Sequence, residues 1–275
     1  MIDELLAHID RLIVQRPVSK DALEAYRELV ALMKGVEPKS QSMVIQDRFS
    51  KMKKEEGFPL FTRDDLPLDF ETSSNLLQKF MGHLSKTERN DRAGLKKALK
   101  KSSADPEWCE QLFKTLLRND DKVFTEMAKE VGLDPKVLEF LARVAMKPSL
   151  HALRHSLAEK IEKKGWNYGY CPLCGSQPNM AYFGKTGTRY LHCELCGEEW
   201  AYLRLRCPFC ENRDQNSLGY FESDQEEGFR VDICRKCQRY IKSIDERVFE
   251  ELAPLDLEFL ATIHLDILAN KHGFK

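Results

Sequence analysis

Four Cys-x-x-Cys loops, at Cys171/Cys174, Cys193/Cys196, Cys207/Cys210 and Cys234/Cys237, hold eight of the nine cysteines of this 275-residue chain, all in its last two fifths. A tetrahedral ion with sulfur ligands needs two such short chelating loops to converge. Four loops are therefore the ligand inventory of two four-thiolate sites. This constrains the fold directly, because a segment of about forty residues around each pair of loops cannot build a sufficient core of its own and depends on the ion for stability.

Spacing indicates which loops pair. Eighteen residues separate Cys174 from Cys193 and twenty-three separate Cys210 from Cys234, enough in each case for a β-hairpin, whereas ten separate Cys196 from Cys207. The spacing predicts two consecutive ribbon-type or rubredoxin-type modules, Cys171/Cys174/Cys193/Cys196 and Cys207/Cys210/Cys234/Cys237. A cross-braced arrangement, first loop with third and second with fourth, stays open. Gly175 and Gly197 follow the second cysteine of their loops and take positive φ at little cost. Glu211 and Gln238 stand at the equivalent places, so the turns of the second module are expected to be strained or differently shaped. Between loops the residues alternate in strand fashion: Ala181 to Phe183, a turn over 184–187, then Arg189 to His192. Leu218 to Phe221, a polar turn over 223–228, and Phe229 to Ile233 repeat that plan. Exit strands are expected over 199–206 and 239–244.

Four thiolates close a coordination shell and leave no open position for substrate, so the ions read as structural and the pattern points to no catalytic and no organic cofactor-binding residues. Zinc and iron both accept tetrahedral S4 ligation, and spacing does not separate them. Free Cys-x-x-Cys pairs also exchange readily as dithiols, which keeps a redox role open.

The remaining residues set the context. Charged residues make up 32 % of the chain and no apolar run approaches spanning length, which argues against a membrane protein. The N-terminal residues lack a basic region followed by an apolar stretch, so a reduced, cytoplasmic setting is expected. Residues 1–165 read as all-helical: Ile2 to Ile13 recur at three and four until Pro17, Leu23 to Met33 mark a second helix from Ser19 or Lys20, and others start at Ser73 or Ser74, Asp105-Pro106 and Asp134-Pro135. Each Asp-Pro pair places an N-cap before a proline at the first helical position. A proline-rich, extended connection is expected over 57–70, and a single final helix over 257–268, closed by Gly273. The predicted organisation is a helical domain (1–165), modules at 166–205 and 206–247, and a C-terminal helix (248–275).

Three further features have bland readings. Lys96, Lys97, Lys100 and Lys101 read as a solvated helix face. Cys109 reads as a buried thiol without a matched His/Asp pattern. His192 reads as a strand residue beside a site that already has its four sulfurs.

The words Cys171-Pro-Leu-Cys-Gly-Ser-Gln-Pro178, Arg189-Tyr-Leu-His-Cys-Glu-Leu-Cys196, Glu199-Trp200, Cys207-x-x-Cys-Glu211 and Cys234-x-x-Cys237 before Tyr240-Ile-Lys242 resemble the formate dehydrogenase accessory protein E (FdhE) family. The resemblance is close over the cysteine region and limited to helical character and length before it. It implies a cytoplasmic maturation factor for a respiratory formate dehydrogenase, without turnover of its own. It also implies rubredoxin-like modules able to hold iron, and binding to the molybdenum- or tungsten-containing catalytic subunit; a homo-oligomer is compatible with it. Two other classes remain: a rubredoxin-like electron carrier, and a nucleic-acid-binding ribbon protein. Against the last, residues 166–245 carry ten Lys and Arg and eleven Asp and Glu, and the whole chain is −1, without the basic surplus such domains show.

Overall fold

The structure, a computed structural model, describes residues 2–39, 45–87, 91–222 and 227–275. Helices α1 (Ile2–Gln15), α2 (Lys20–Leu32) and α3 (Asp47–Glu55) come first. They are followed by α4 (Phe70–Leu84), α5 (Arg92–Ala104), α6 (Pro106–Arg118), α7 (Asp121–Val131) and α8 (Pro135–Ser156). Six strands follow: β1 (Pro178–Phe183), β2 (Arg189–Cys193), β3 (Glu199–Ala201), β4 (Leu218–Glu222), β5 (Phe229–Cys234) and β6 (Arg239–Asp245). Helices α9 (Leu255–Ala261) and α10 (Ile263–Lys271) close the chain. The turn expected at 223–228 has its residues 223–226 outside the described residues.

The chain divides into two compact units, one of Met1–Arg27, Ile45–Leu60 and Glu159–Lys275, the other of Glu28–Val44 and Phe61–Ala158. Residues 1–165 thus contribute to both. The second unit is helical around α4, whose Leu77, Phe80 and Met81 are fully buried among Leu95, Phe113, Leu138 and Ala145 of its neighbours. Each large side chain so buried contributes roughly 1.5–3 kcal/mol. Both Asp-Pro boundaries hold: Asp105 accepts from the Trp108 amide at 3.2 Å and Asp134 from the Lys136 amide at 2.7 Å. Helix α4 starts earlier than its apolar spacing suggests, because Asp69 caps it through the Thr72 amide at 2.9 Å. Helix α7 has the same device in Asp120 and ends on Gly132 at φ +74°.

In the first unit the two cysteine modules share one sheet of order β3-β2-β1-β6-β5-β4. Each module is an antiparallel three-stranded meander, and a parallel pairing of β1 with β6, Met180 opposite Lys242 through Phe183 opposite Asp245, joins them. The exit strand expected over 199–206 stops at Ala201.

One face of the second module carries Phe229, Val231, Ile233 and Ile244 and packs against Leu255, Leu265, Ala269 and Phe274. Lys242 lies on that same face at 1 % exposure and reaches Asp266 Oδ2 and the Phe259 carbonyl, both at 2.8 Å. Burial lowers its pKa, against the pull of Asp266. These contacts explain why the C-terminal segment is two helices rather than the single one expected. The carbonyls of Phe259 and Thr262 accept from Lys242 and that of Ala261 accepts from Ser19 Oγ, so the ladder is interrupted at Thr262.

Removing one partner of a buried ion pair costs about 3–5 kcal/mol, while replacing both by apolar groups is often neutral. Lys242→Met should therefore lower the unfolding midpoint and speed amide exchange across α9 and α10, and Lys242→Met with Asp266→Leu should recover most of the loss. Hydrogen-exchange mass spectrometry with urea titration checks both.

Candidate metal centres

Each Cys-x-x-Cys loop is a tight knuckle built in the same way. The amide of the residue just after the second cysteine folds back on the first cysteine: Gly175 N–H donates to the Cys171 carbonyl at 2.9 Å, Gly197 to Cys193 at 3.2 Å, Glu211 to Cys207 at 3.0 Å and Gln238 to Cys234 at 2.9 Å. In the first three, the amide of the first cysteine also donates to the carbonyl five residues on, Ser176, Glu198 and Asn212. In the fourth, Cys234 and Arg239 are ladder partners. Closing such a turn requires positive φ at the residue after the second cysteine. Gly175 and Gly197 adopt +72° and +70°, and Glu211 and Gln238 adopt +60° and +58°. The second module's turns therefore keep the shape of the first and carry backbone strain of about 1–2 kcal/mol per residue for the missing glycines.

The knuckles converge in sequential pairs, which excludes the cross-braced arrangement. The four sulfurs of Cys171, Cys174, Cys193 and Cys196 all lie within 4.8 Å of one another, and so do those of Cys207, Cys210, Cys234 and Cys237. Neighbouring sulfurs are 3.5 Å apart for Cys174 and Cys193, 3.6 Å for Cys171 and Cys196, and 3.7 Å for both Cys207 with Cys237 and Cys210 with Cys234. A disulfide would bring sulfurs to about 2.05 Å. A tetrahedron with metal–sulfur bonds of about 2.3 Å has edges of about 3.8 Å. The spacing is that of ligands around an ion, and either set could hold one.

The two centres differ in exposure. All four cysteines of the first are buried, whereas Cys210 and Cys237 of the second are partly open. Burial pushes the Cys171, Cys196 and Cys207 thiols up. At Cys234 burial also raises the pKa, but the amides of Cys237 and Lys236 outweigh it and bring the thiol down to about 7.

Several contacts tie one centre to the other. A Cβ at Gly169 would meet the Pro208 carbonyl oxygen at 1.8 Å, so the segment leading into the first knuckle lies against the backbone of the third. Arg206 donates to the Asn167 carbonyl at 2.9 Å and pairs with Glu211 at 2.8 Å, and Tyr202 donates to the Cys207 carbonyl at 3.2 Å. Residues 57–60 brace the first knuckle: Tyr170 Oη donates to the Gly57 carbonyl at 2.6 Å and the Leu60 amide to the Pro172 carbonyl at 2.8 Å. No periodicity announces these contacts, although the run Trp166-x-Tyr168-x-Tyr170 signals an aromatic cluster.

His192 is buried in β2 with Nδ1 2.9 Å from Asn179 Oδ1, beside a sulfur set complete without it. Cys109 is fully buried in α6, and burial raises its pKa. Lys96, Lys97 and Lys100 are exposed on α5, and Lys101 pairs with Glu130 at 2.7 Å.

Residues 170–204 match the family model of the FdhE central domain. The chain is 36 % identical over 149 residues to an FdhE homologue of Aquifex aeolicus, covering 53 % of this chain and 52 % of that one. It is 32 % identical over 152 residues to a homologue of Stutzerimonas stutzeri (52 % and 47 %) and 34 % over 109 residues to the FdhE protein of Escherichia coli K12 (38 % and 34 %). The matches span about half the length of these curated relatives or less. The crystal structure of the FdhE protein from Pseudomonas aeruginosa shares the fold, with a TM-score of 0.73 over 100 % of this chain and 93 % of that one at 20 % identity.

Gln238→Gly should relieve the left-handed strain and stabilise the second module by about 1 kcal/mol. Glu211→Gly should gain less or lose, because it also removes the partner of Arg206. Thermal unfolding of the two variants separates them. A chelator challenge should also strip metal from the second centre before the first, read by thiol alkylation of Cys210 and Cys237 ahead of Cys171 and Cys174.

Proposed function

We propose that the chain, whose residues 170–204 match the FdhE central domain, is a member of the FdhE family, an accessory factor in the maturation of a respiratory formate dehydrogenase that acts by binding that enzyme's molybdenum- or tungsten-containing catalytic subunit in the cytoplasm. The observation that carries this reading is the match over residues 170–204, which includes both knuckles of the first centre. Cys171, Cys174, Cys193 and Cys196 hold one metal ion, and Cys207, Cys210, Cys234 and Cys237 hold a second, each iron or zinc. Four thiolates saturate a tetrahedral ion, so the ions staple knuckles and catalyse nothing. The chain supplies a rigid surface for an immature client and turns over no substrate.

A tagged chain, purified under reducing conditions from its cell of origin, should carry the formate dehydrogenase catalytic subunit. Deleting the gene should lower formate oxidation without abolishing synthesis of the subunit, and Cys174→Ser or Cys210→Ser should weaken the association. Mass spectrometry of the pull-down decides. Recovery of nucleic acid or ribosomal proteins in its place, with normal formate oxidation in the deletion strain, would overturn the reading.

A further inference from the structure

The face of the second module opposite the C-terminal helices holds a cleft of about 520 Å³, bounded by β4, β5, β6, the start of β2 and the segment 204–209. Its charge is out of proportion to the rest of the molecule. Arg189, Arg204, Arg206, Arg230 and Arg239 all line it, with Asp232 as the one acidic lining residue, in a chain whose net charge is −1. That carboxylate is heavily shared: Arg230 Nε lies 2.9 Å from it, Arg189 Nη2 3.4 Å, and Ser243 Oγ donates to it at 2.6 Å. Among the described residues neither Arg204 nor Arg239 has a carboxylate within ion-pair distance; Arg239 donates to the Gln177 amide oxygen at 2.6 Å. Arg189 is buried, and the desolvation that lowers its pKa is only partly offset by Asp232.

The guanidinium groups are also interleaved with rings. The Arg204 guanidinium sits 5.1 Å and that of Arg230 4.3 Å from the Phe183 ring centroid, Arg230 is 4.7 Å from Tyr220, and Arg239 is 3.7 Å from Phe209. A guanidinium held by its face on a ring keeps its N–H edge for a planar or tetrahedral oxyanion, the geometry Arg uses for phosphate. Tyr220 is 59 % exposed and Leu205 60 %, so apolar surface lies open at the same cleft. The volume is that of a discrete small ligand and not of a nucleic-acid tract, which would need a basic stripe continuing beyond the cleft.

We propose that this cleft binds a phosphate-bearing small molecule of about nucleotide size, its phosphates against the guanidinium groups and its flat or apolar part against Tyr220 and Leu205. The cleft borders the second sulfur set, whose Cys207 and Cys234 lie in its lining, but the proposed ligand contacts are the guanidinium groups and rings and not the sulfurs, and the proposal is independent of the client-binding reading. The test is isothermal titration calorimetry on the full metal-loaded chain with ADP, inorganic pyrophosphate and a short single-stranded oligonucleotide as probes, at low and high salt. The expected result is saturable binding of ADP or pyrophosphate, weakened by salt. Arg204→Gln should reduce the affinity about tenfold, as for one charge-assisted hydrogen bond, with Arg204→Lys intermediate and metal content unchanged in both. Pyrophosphate as tight as ADP identifies a free polyphosphate; ADP tighter identifies a nucleotide. No binding of either probe, an affinity unaffected by Arg204→Gln, or an oligonucleotide bound more tightly than ADP would overturn the proposal.

Discussion

Four sulfur atoms 3.5–3.7 Å from their neighbours are stable together only if they stay protonated or share a cation. In this chain the knuckles supply the geometry for the second option. Bringing two loops from distant parts of the sequence to one point closes a hairpin between them, and that closure shapes β1 with β2 and β4 with β5. Without a cation, buried thiolates so close would repel one another strongly in a low-dielectric interior. With one, deprotonation of the ligands and folding of the module become the same event. The strained φ values of Glu211 and Gln238 fit this view, because a turn that costs energy persists only where its surroundings over-determine it.

The parallel pairing of β1 with β6 turns two small modules into one structural body. The sheet is continuous across the two modules, the Gly169 backbone lies on Pro208, and Arg206 bridges residue 167 to the third knuckle. Damage at one centre should therefore reach the other through the sheet. The C-terminal helices cover one face of the second module and leave the opposite face open, which is where the arginine-lined cleft forms.

Much of this was legible in the sequence because it depends on local spacing. Loop separation indicated the sequential pairing, period-two alternation marked the strands, and Asp105-Pro106 and Asp134-Pro135 marked helix starts through a capping chemistry that operates within three residues. What stayed hidden depends on contacts far apart in sequence. Nothing in Met180 to Phe183 says that its free edge meets Lys242 to Asp245 in parallel. Lys242 alternates like any strand residue, and only the arrival of Asp266 and the Phe259 carbonyl from the C-terminal segment makes its burial tolerable. Helix α3 has few apolar residues, so its period was too weak to read. Arg189, Arg204 and Arg206 lie within eighteen residues of one another in the sequence, but Arg230 and Arg239 join them only through strand register.

The eight cysteines, gathered in two sets of four sulfurs, are proposed to hold one ion per set. The most direct measurement is elemental analysis of protein purified without added metal, combined with X-ray absorption at the edge of the metal found. Two ions per chain, each with four sulfur neighbours and no lighter atom in the first shell, is the predicted result. One ion per chain, or nitrogen or oxygen in the first shell, would contradict it.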